Sequence, residues 1–232
     1  MALHRTATHH ALLIHGAGAG GWEWNLWREA LQARGIAAHA PDLQPAAQGL
    51  AATTLDDYRQ QMRTALSALP HPRAAIGASL GGLLAWLCGD LADALILINP
   101  LPPKPWTAPP SAAERTWPDV VPWRREARLT STRRAMPDAD EAATLYALRR
   151  WRDESGAVLR QALAGVQAPT PACPILCIAS REDRDVEAQH TARFAAAIGA
   201  SLIVGPGSHV GPLLGRDAAR LAGQAADWLS AR

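Results

Sequence analysis

Short apolar runs alternate along the chain with longer stretches whose apolar positions recur at helical spacing. The first run, residues 10–15, opens into the glycine-rich loop 16–21. That is a buried strand followed by a turn whose backbone can approach a ligand closely. Residues 22–34 carry Trp24, Trp27 and Leu31 at helical spacing, with Gly35 as the stop. A second strand is predicted over 36–40, closed by Pro41-Asp42. Thr54 can then cap a helix over 55–69 that Pro70 ends. Residues 73–78 read as a strand, 80–90 as a buried helix, and 94–98 as a strand apolar throughout, as expected where both faces are covered. The same alternation returns late in the chain, with strands over 174–179 and 201–204 and helices over 186–198 and 213–229. This order predicts an α/β fold: a doubly wound, mostly parallel sheet of about six strands with helices on both faces.

The pattern breaks at Pro100. Residues 101–110 hold five prolines, at 102, 103, 105, 109 and 110, so the stretch is neither helix nor central strand. From 111 to 171 the alternation is absent and short helices are predicted, the clearest over 139–152 with Leu145, Leu148 and Trp151 on one face. The expected organisation is a core of residues 1–100 and 172–232 with a small helical lid of two to four helices inserted over 101–171. Trp106, Trp117, Trp123 and Trp151 all fall in that insertion. They are either the lid's own core or the wall of an apolar pocket.

Composition narrows the function classes. Hydrophobic residues make up 48% of the 232 and charged residues 19%, a globular balance. A formal net charge of +2 is too small to imply nucleic acid or an anionic membrane as partner. Cys88, Cys173 and Cys177 lack metal-type spacing, and His4, His9 and His10 lack partners at ligand spacing, so neither a metal nor another cofactor is expected. No run at the start suits a signal peptide, and none later approaches the roughly 20 apolar residues of a membrane span. The expectation is a soluble, cytoplasmic protein; no oligomeric state is implied.

The candidate chemistry centres on Ser79, in Gly77-Ala78-Ser79-Leu80-Gly81 between a predicted strand and a predicted helix. A serine on so sharp a turn needs small flanks, which Gly77 and Gly81 supply. The alternative is a glycine-rich turn in which Ser79 merely caps the helix. Four landmarks each follow a predicted strand: the loop 16–21, Ser79, Asp183 and His209. In a parallel sheet those strand ends share one edge, where ligands bind. A serine hydroxyl needs a base within hydrogen-bond reach, which a neutral His209 provides, and a carboxylate to fix the imidazole. Asp183 competes for that role with Glu182 and Asp185, the last of which is suited to beginning the next helix; the spacing from Ser180, by its resemblance to a known family's acid loop, favours Asp183. The amides of Leu80 and Ala17 are the candidate oxyanion donors. Gly16, Gly18, Trp22 and Trp106 are the candidate substrate-binding residues, and His15 is read as a brace of the glycine loop.

His15-Gly16, the Gly-Ala-Ser79-Leu-Gly turn, Ser180-Arg-Glu-Asp183 and Gly-Ser-His209 together resemble the α/β-hydrolase fold superfamily, in its order of serine, acid and histidine. The resemblance covers nearly the whole chain outside 101–171. Residues 15–24 are further similar to the methylesterase and hydroxynitrile lyase branch, in which a similar loop supplies an oxyanion amide. It implies a serine hydrolase acting on a small-molecule carboxylic ester or thioester through an acyl-enzyme on Ser79. The alternatives are a non-hydrolytic binding protein of this fold, or a lyase or acyltransferase using the same serine. Epoxide hydrolases and haloalkane dehalogenases are disfavoured, because those relatives carry aspartate at the elbow. The chain departs from the family in two ways. Only about eight residues precede the first strand, so the leading strand pair is expected to be missing or reduced. The loop after Pro41-Asp42 also lacks the usual glycine-serine signature.

Overall fold

A computed structural model of the chain describes residues 9–107 and 116–232. His4, Pro109, Pro110 and residues 111–115 lie outside the described residues. The strands are β1 (His10–Ile14), β2 (Ala37–His39), β3 (Arg73–Ala78), β4 (Ala94–Ile98), β5 (Val120–Val121), β6 (Glu154–Ser155), β7 (Ile175–Ser180) and β8 (Ser201–Gly205). Six form one sheet in the order β2-β1-β3-β4-β7-β8, every described pairing parallel, while β5 and β6 make a separate antiparallel ribbon. Strand order reverses between β1 and β3, so the loops leaving those two strands flank the crevice where parallel sheets bind ligands.

Both faces of the sheet are buried, and alternate residues of each strand serve opposite faces. Leu12, Ile14, Ala75, Leu95, Leu97 and Cys177 point to one core layer, which α2 (Leu55–Ser67), α3 (Leu80–Leu87) and α7 (Ala188–Ala197) complete. Leu13, Ile76, Ala78, Ile96, Ile98 and Ile178 point to the other, covered by α1 (Asn25–Gln32) and α9 (Ala218–Ser230). β1, β3, β4 and β7 each bury four or more apolar side chains, and the leucines and isoleucines among them, at about 1.5–3 kcal/mol each, hold the layers together. α2 begins where Thr54 predicts, with a capping box in which Thr54 accepts from the Asp57 amide and Asp57 accepts from that of Thr54.

Among the described residues, three helices occupy the connection between β4 and β7: α4 (Leu129–Ala135), α5 (Glu141–Leu148) and α6 (Gly156–Leu163). Three predicted helices come out shorter or divided. Residues 22–34 form a 3-10 turn, Gly21–Trp24, before α1. The cause is local: a Cβ on Gly21 would collide with the Ala40 carbonyl, so the turn lies tight on β2. The predicted helix over 139–152 is only α5, because the chain leaves it to bond the glycine loop through the Arg152 amide and the Gly18 carbonyl (2.7 Å). The last helix is split into α8 (Gly211–Leu214) and α9, where Gly215 and Arg216 close around Asp138. No described helix is long and apolar enough to cross a membrane.

Candidate active site

Ser79 stands between β3 and α3 at φ 54°, ψ −117°, a sparsely populated conformation for a residue with a side chain. The turn is held by the Ser79 amide bonding the Ile98 carbonyl (2.9 Å) and the Leu101 amide bonding the Ser79 carbonyl (3.1 Å). Both flanking glycines are needed for close approach. A Cβ on Gly77 would meet the Gly81 carbonyl, and one on Gly81 would meet the carbonyl of Ile14. Ser79 occupies the N-cap position of α3, yet its side chain caps nothing. Its hydroxyl makes no hydrogen bond to a described residue, His209 included.

Asp183 and His209 meet beyond β7 and β8. Asp183 Oδ2 lies 2.7 Å from His209 Nδ1, with the Asp183 side chain fully buried. The second carboxylate oxygen, Oδ1, accepts from the amides of Asp185 (2.8 Å) and Val186 (2.9 Å). This fixes Nδ1–H as the donor and leaves Nε2 as the basic nitrogen. Burial alone would push the His209 imidazole down. The hydrogen bond to Asp183 and the charges of Asp183 and Asp185 outweigh it and raise the group above its usual range. Ligand atoms of Asp183, Asp185 and His209 lie within 4.8 Å of one another. With both Asp183 oxygens taken by N–H donors, the cluster is arranged to hold an imidazole rather than a cation. Glu182 instead accepts from the Gly207 amide.

Asn99 ties these parts together, and nothing in the sequence pattern marked it. It is buried, at φ 41°, just beyond β4, and Asn tolerates left-handed backbone better than most residues. Its Oδ1 accepts from the Ser180 amide (2.9 Å), and its Nδ2 donates to Ser180 Oγ (2.9 Å) and to the His209 carbonyl (2.8 Å). The end of β4 thus bonds the Ser79 turn through Ile98 and the His209 loop through Asn99. The one usable signal was its position, immediately after an apolar strand and before Pro100.

The glycine loop lies against the elbow: a Cβ on Gly16 would sit 3.5 Å from Ser79 Cβ. Two side chains grip it from within the core. His15 donates from Nδ1 to the Gly16 carbonyl (2.8 Å) and accepts at Nε2 from the Leu43 amide (2.9 Å). Burial pushes its pKa down to about 4, so it braces the loop as a neutral ring. Glu23 accepts from the Gly16 amide (2.9 Å), and burial pushes its carboxyl up to about 8 against the lowering influence of that bond and of His209.

The candidate oxyanion donors are free: neither the Ala17 nor the Leu80 amide bonds a described residue. The candidate substrate-binding residues are more constrained. The Gly16 amide is taken by Glu23 and the Gly18 amide by Glu154, while Trp123 covers the α-carbon of Gly18. Trp22 packs edge-on against Tyr146 and Trp151, and Trp106 packs between Trp86 and Phe194. Trp117 and Trp123 pack on each other. A cavity of about 170 Å³ is lined by His15, Leu43, Tyr58, Arg152 and Glu154 among others, with Ser79 not in its wall.

Comparison with known proteins identifies the family and the fold. Residues 11–224 match the model of the alpha/beta hydrolase family, and the chain belongs to that family. Among solved structures it is similar to a pyrethroid hydrolase from Sphingobium faniae JZ-2, at 21% identity and TM-score 0.72 over 97% of this chain and 98% of that one. It is also similar to a methylesterase from Arabidopsis, at 16% identity and TM-score 0.74 over 97% and 100% of the two chains. Tomato methylketone synthase I, solved with 2-tridecanone, aligns at 14% identity and TM-score 0.74 over 97% and 99%. At these identities the likeness is one of fold. Comparison with curated protein sequences returns no match.

Proposed function

We propose that the protein is a serine hydrolase that cleaves a carboxylic ester or thioester through an acyl-enzyme on Ser79. The observation that carries this reading is the Asp183–His209 pair at 2.7 Å, its carboxylate buried, joined through Asn99 and the end of β4 to a strained, uncapped Ser79. His209 Nε2 takes the Ser79 proton as Oγ attacks the carbonyl carbon, and Asp183 stabilises the imidazolium that forms. The Ala17 and Leu80 amides receive the oxyanion. The imidazolium returns the proton to the leaving alcohol or thiol. Water, deprotonated by the same nitrogen, then releases the acid.

Ser79→Ala is expected to abolish both labelling by a fluorophosphonate and hydrolysis of a p-nitrophenyl ester, a loss of at least about 10³-fold in kcat. Activity that survives the change overturns the assignment. The pH dependence has a defined sign. The base must be neutral, and its pKa is raised, so kcat/KM falls as pH drops through a value above the ordinary 6.5 of histidine. A panel of esters and acyl thioesters of graded chain length separates the two substrate classes.

A further inference from the structure

Glu154 is a buried carboxyl that the chemistry above does not use. It lies on β6, 136 residues from the loop it touches, and three donors converge on it. Oε2 accepts from the Gly18 amide at 3.0 Å; Oε1 accepts from the Tyr58 hydroxyl at 2.9 Å and from the Ser155 amide at 2.8 Å. Its backbone is fixed on both sides. Val121 pairs with Glu154 across the β5–β6 ribbon. The next residue, Ser155, donates its hydroxyl to the Thr53 carbonyl (2.6 Å) and caps α6 through the Val158 amide. Tyr58 is likewise buried in the core, and burial together with the neighbouring Glu154 pushes its phenol well up, so it stays a donor.

Gly18 adjoins Ala17, whose amide is free and half-buried. The remaining groups of Gly18 are held from the same segment: its carbonyl accepts from the Arg152 amide at 2.7 Å, and Trp123 lies over its α-carbon. At φ +68° Gly18 has no strong conformational preference of its own. The Ala17 N–H shares its peptide plane with the Gly16 carbonyl, which His15 and the Ala19 amide hold, and the next plane ends in the Gly18 amide, so Ala17 is pinned from both sides and Glu154 holds one of them. We infer that Glu154, supplied by the β4–β7 connection, is a positioning residue of the oxyanion hole that holds the Ala17 amide toward the reacting carbonyl. The inference rests on the serine-hydrolase reading and deepens it. The connection is then a working part of the catalytic apparatus, bolted to the loop, rather than a cover that opens clear of it.

Glu154→Gln tests this in the full chain. An amide presents one acceptor and two donors, so it cannot satisfy three converging N–H and O–H groups. With a p-nitrophenyl ester, kcat is expected to fall about tenfold or more with KM within about twofold, less than the loss of an oxyanion donor outright. Inhibition by an alkyl trifluoromethyl ketone, which forms an oxyanion on the serine, weakens by a similar factor. The kinetic pKa of His209 stays where it was; a general loosening of the site would move it. Parental kcat and parental inhibitor affinity in the folded variant overturn the inference. If Glu154→Gln does not fold, Tyr58→Phe decides: a loss of about threefold or more in kcat and in inhibitor affinity supports it, and parental values overturn it. The serine-hydrolase reading fails separately, in Ser79→Ala retaining activity, so the two outcomes are distinct.

Discussion

The parallel sheet and the connection between β4 and β7 both contribute to the site, by different physical means. The sheet places Ser79, Asp183, His209 and the glycine loop at one edge because each follows a parallel strand. Its hold is apolar burial on two faces, cooperative and insensitive to any single polar group. The connection instead reaches the same edge through a few hydrogen-bonded carboxyls. Glu154 takes the Gly18 amide. Asp138 takes the Ser208 amide (3.1 Å) and hydroxyl (2.5 Å), next to His209, while Gly207, Gly211 and Gly215 crowd around its carboxyl. The comparison teaches that stability and alignment have separate sources here. Damage to the sheet is expected to unfold the chain, whereas damage to the connection's contacts leaves it folded with a misaligned site.

The largest effect is expected where the sheet meets the elbow. In Gly81→Ala the new Cβ falls on the Ile14 carbonyl, with no flexible side chain to yield. A loss of about 3 kcal/mol or more, or failure to recover folded protein, is the expected outcome. A urea midpoint equal to the parent's would break the comparison at its stronger end.

Next comes the buried acid of the core. Glu23, pushed to about 8 from 4.5, keeps its proton in the folded state while the unfolded chain loses it. The folded state binds more protons between those values, so this group's stabilisation is complete below the unfolded pKa and is lost as pH rises toward 8. His15 acts in the opposite direction: pushed down to about 4 from 6.5, it costs stability as pH falls through that window. Glu23→Gln keeps an acceptor for the Gly16 amide and removes the alkaline loss. The variant should gain on the order of 3 kcal/mol over the parent between pH 5 and pH 8. Urea titrations at the two pH values measure this, and parallel profiles would contradict it.

The smallest effect on stability is expected in the connection. Asp138→Ala leaves the buried Ser208 hydroxyl and amide without their acceptor, at about 1–3 kcal/mol. Its kcat is nevertheless expected to fall about tenfold, because the loop carrying the base is loosened. Stopped-assay kinetics beside a thermal melt separate the two quantities. A variant with an unchanged kcat and a lowered melting point would show that the connection only stabilises.

The core was legible because its signals are local. β3 and β4 run over Arg73–Ala78 and Ala94–Ile98, where unbroken apolar runs predicted them, and Thr54 caps α2. Period and capping are properties of neighbours in the chain, so they survive without knowledge of the fold. The insertion was legible as a break in pattern at the prolines and as short helices, of which α5 lies within the predicted 139–152. Its tryptophans could be counted, yet whether they faced a pocket or each other depends on partners far away: Trp151 meets Trp22, Trp106 meets Phe194, and Trp123 meets Gly18.

By itself the sequence determined a parallel α/β sheet and which residue types stand at its carboxyl edge, since the alternation of strands and helices and the Gly-x-Ser-x-Gly turn are written in short segments. Tertiary structure alone decided how those residues are held. Asn99 reaches His209 across 110 residues, Glu154 reaches Gly18 across 136 and Asp138 reaches Ser208 across 70. A buried asparagine or carboxyl is defined by the donors around it, and those donors come from chain segments that only folding brings together.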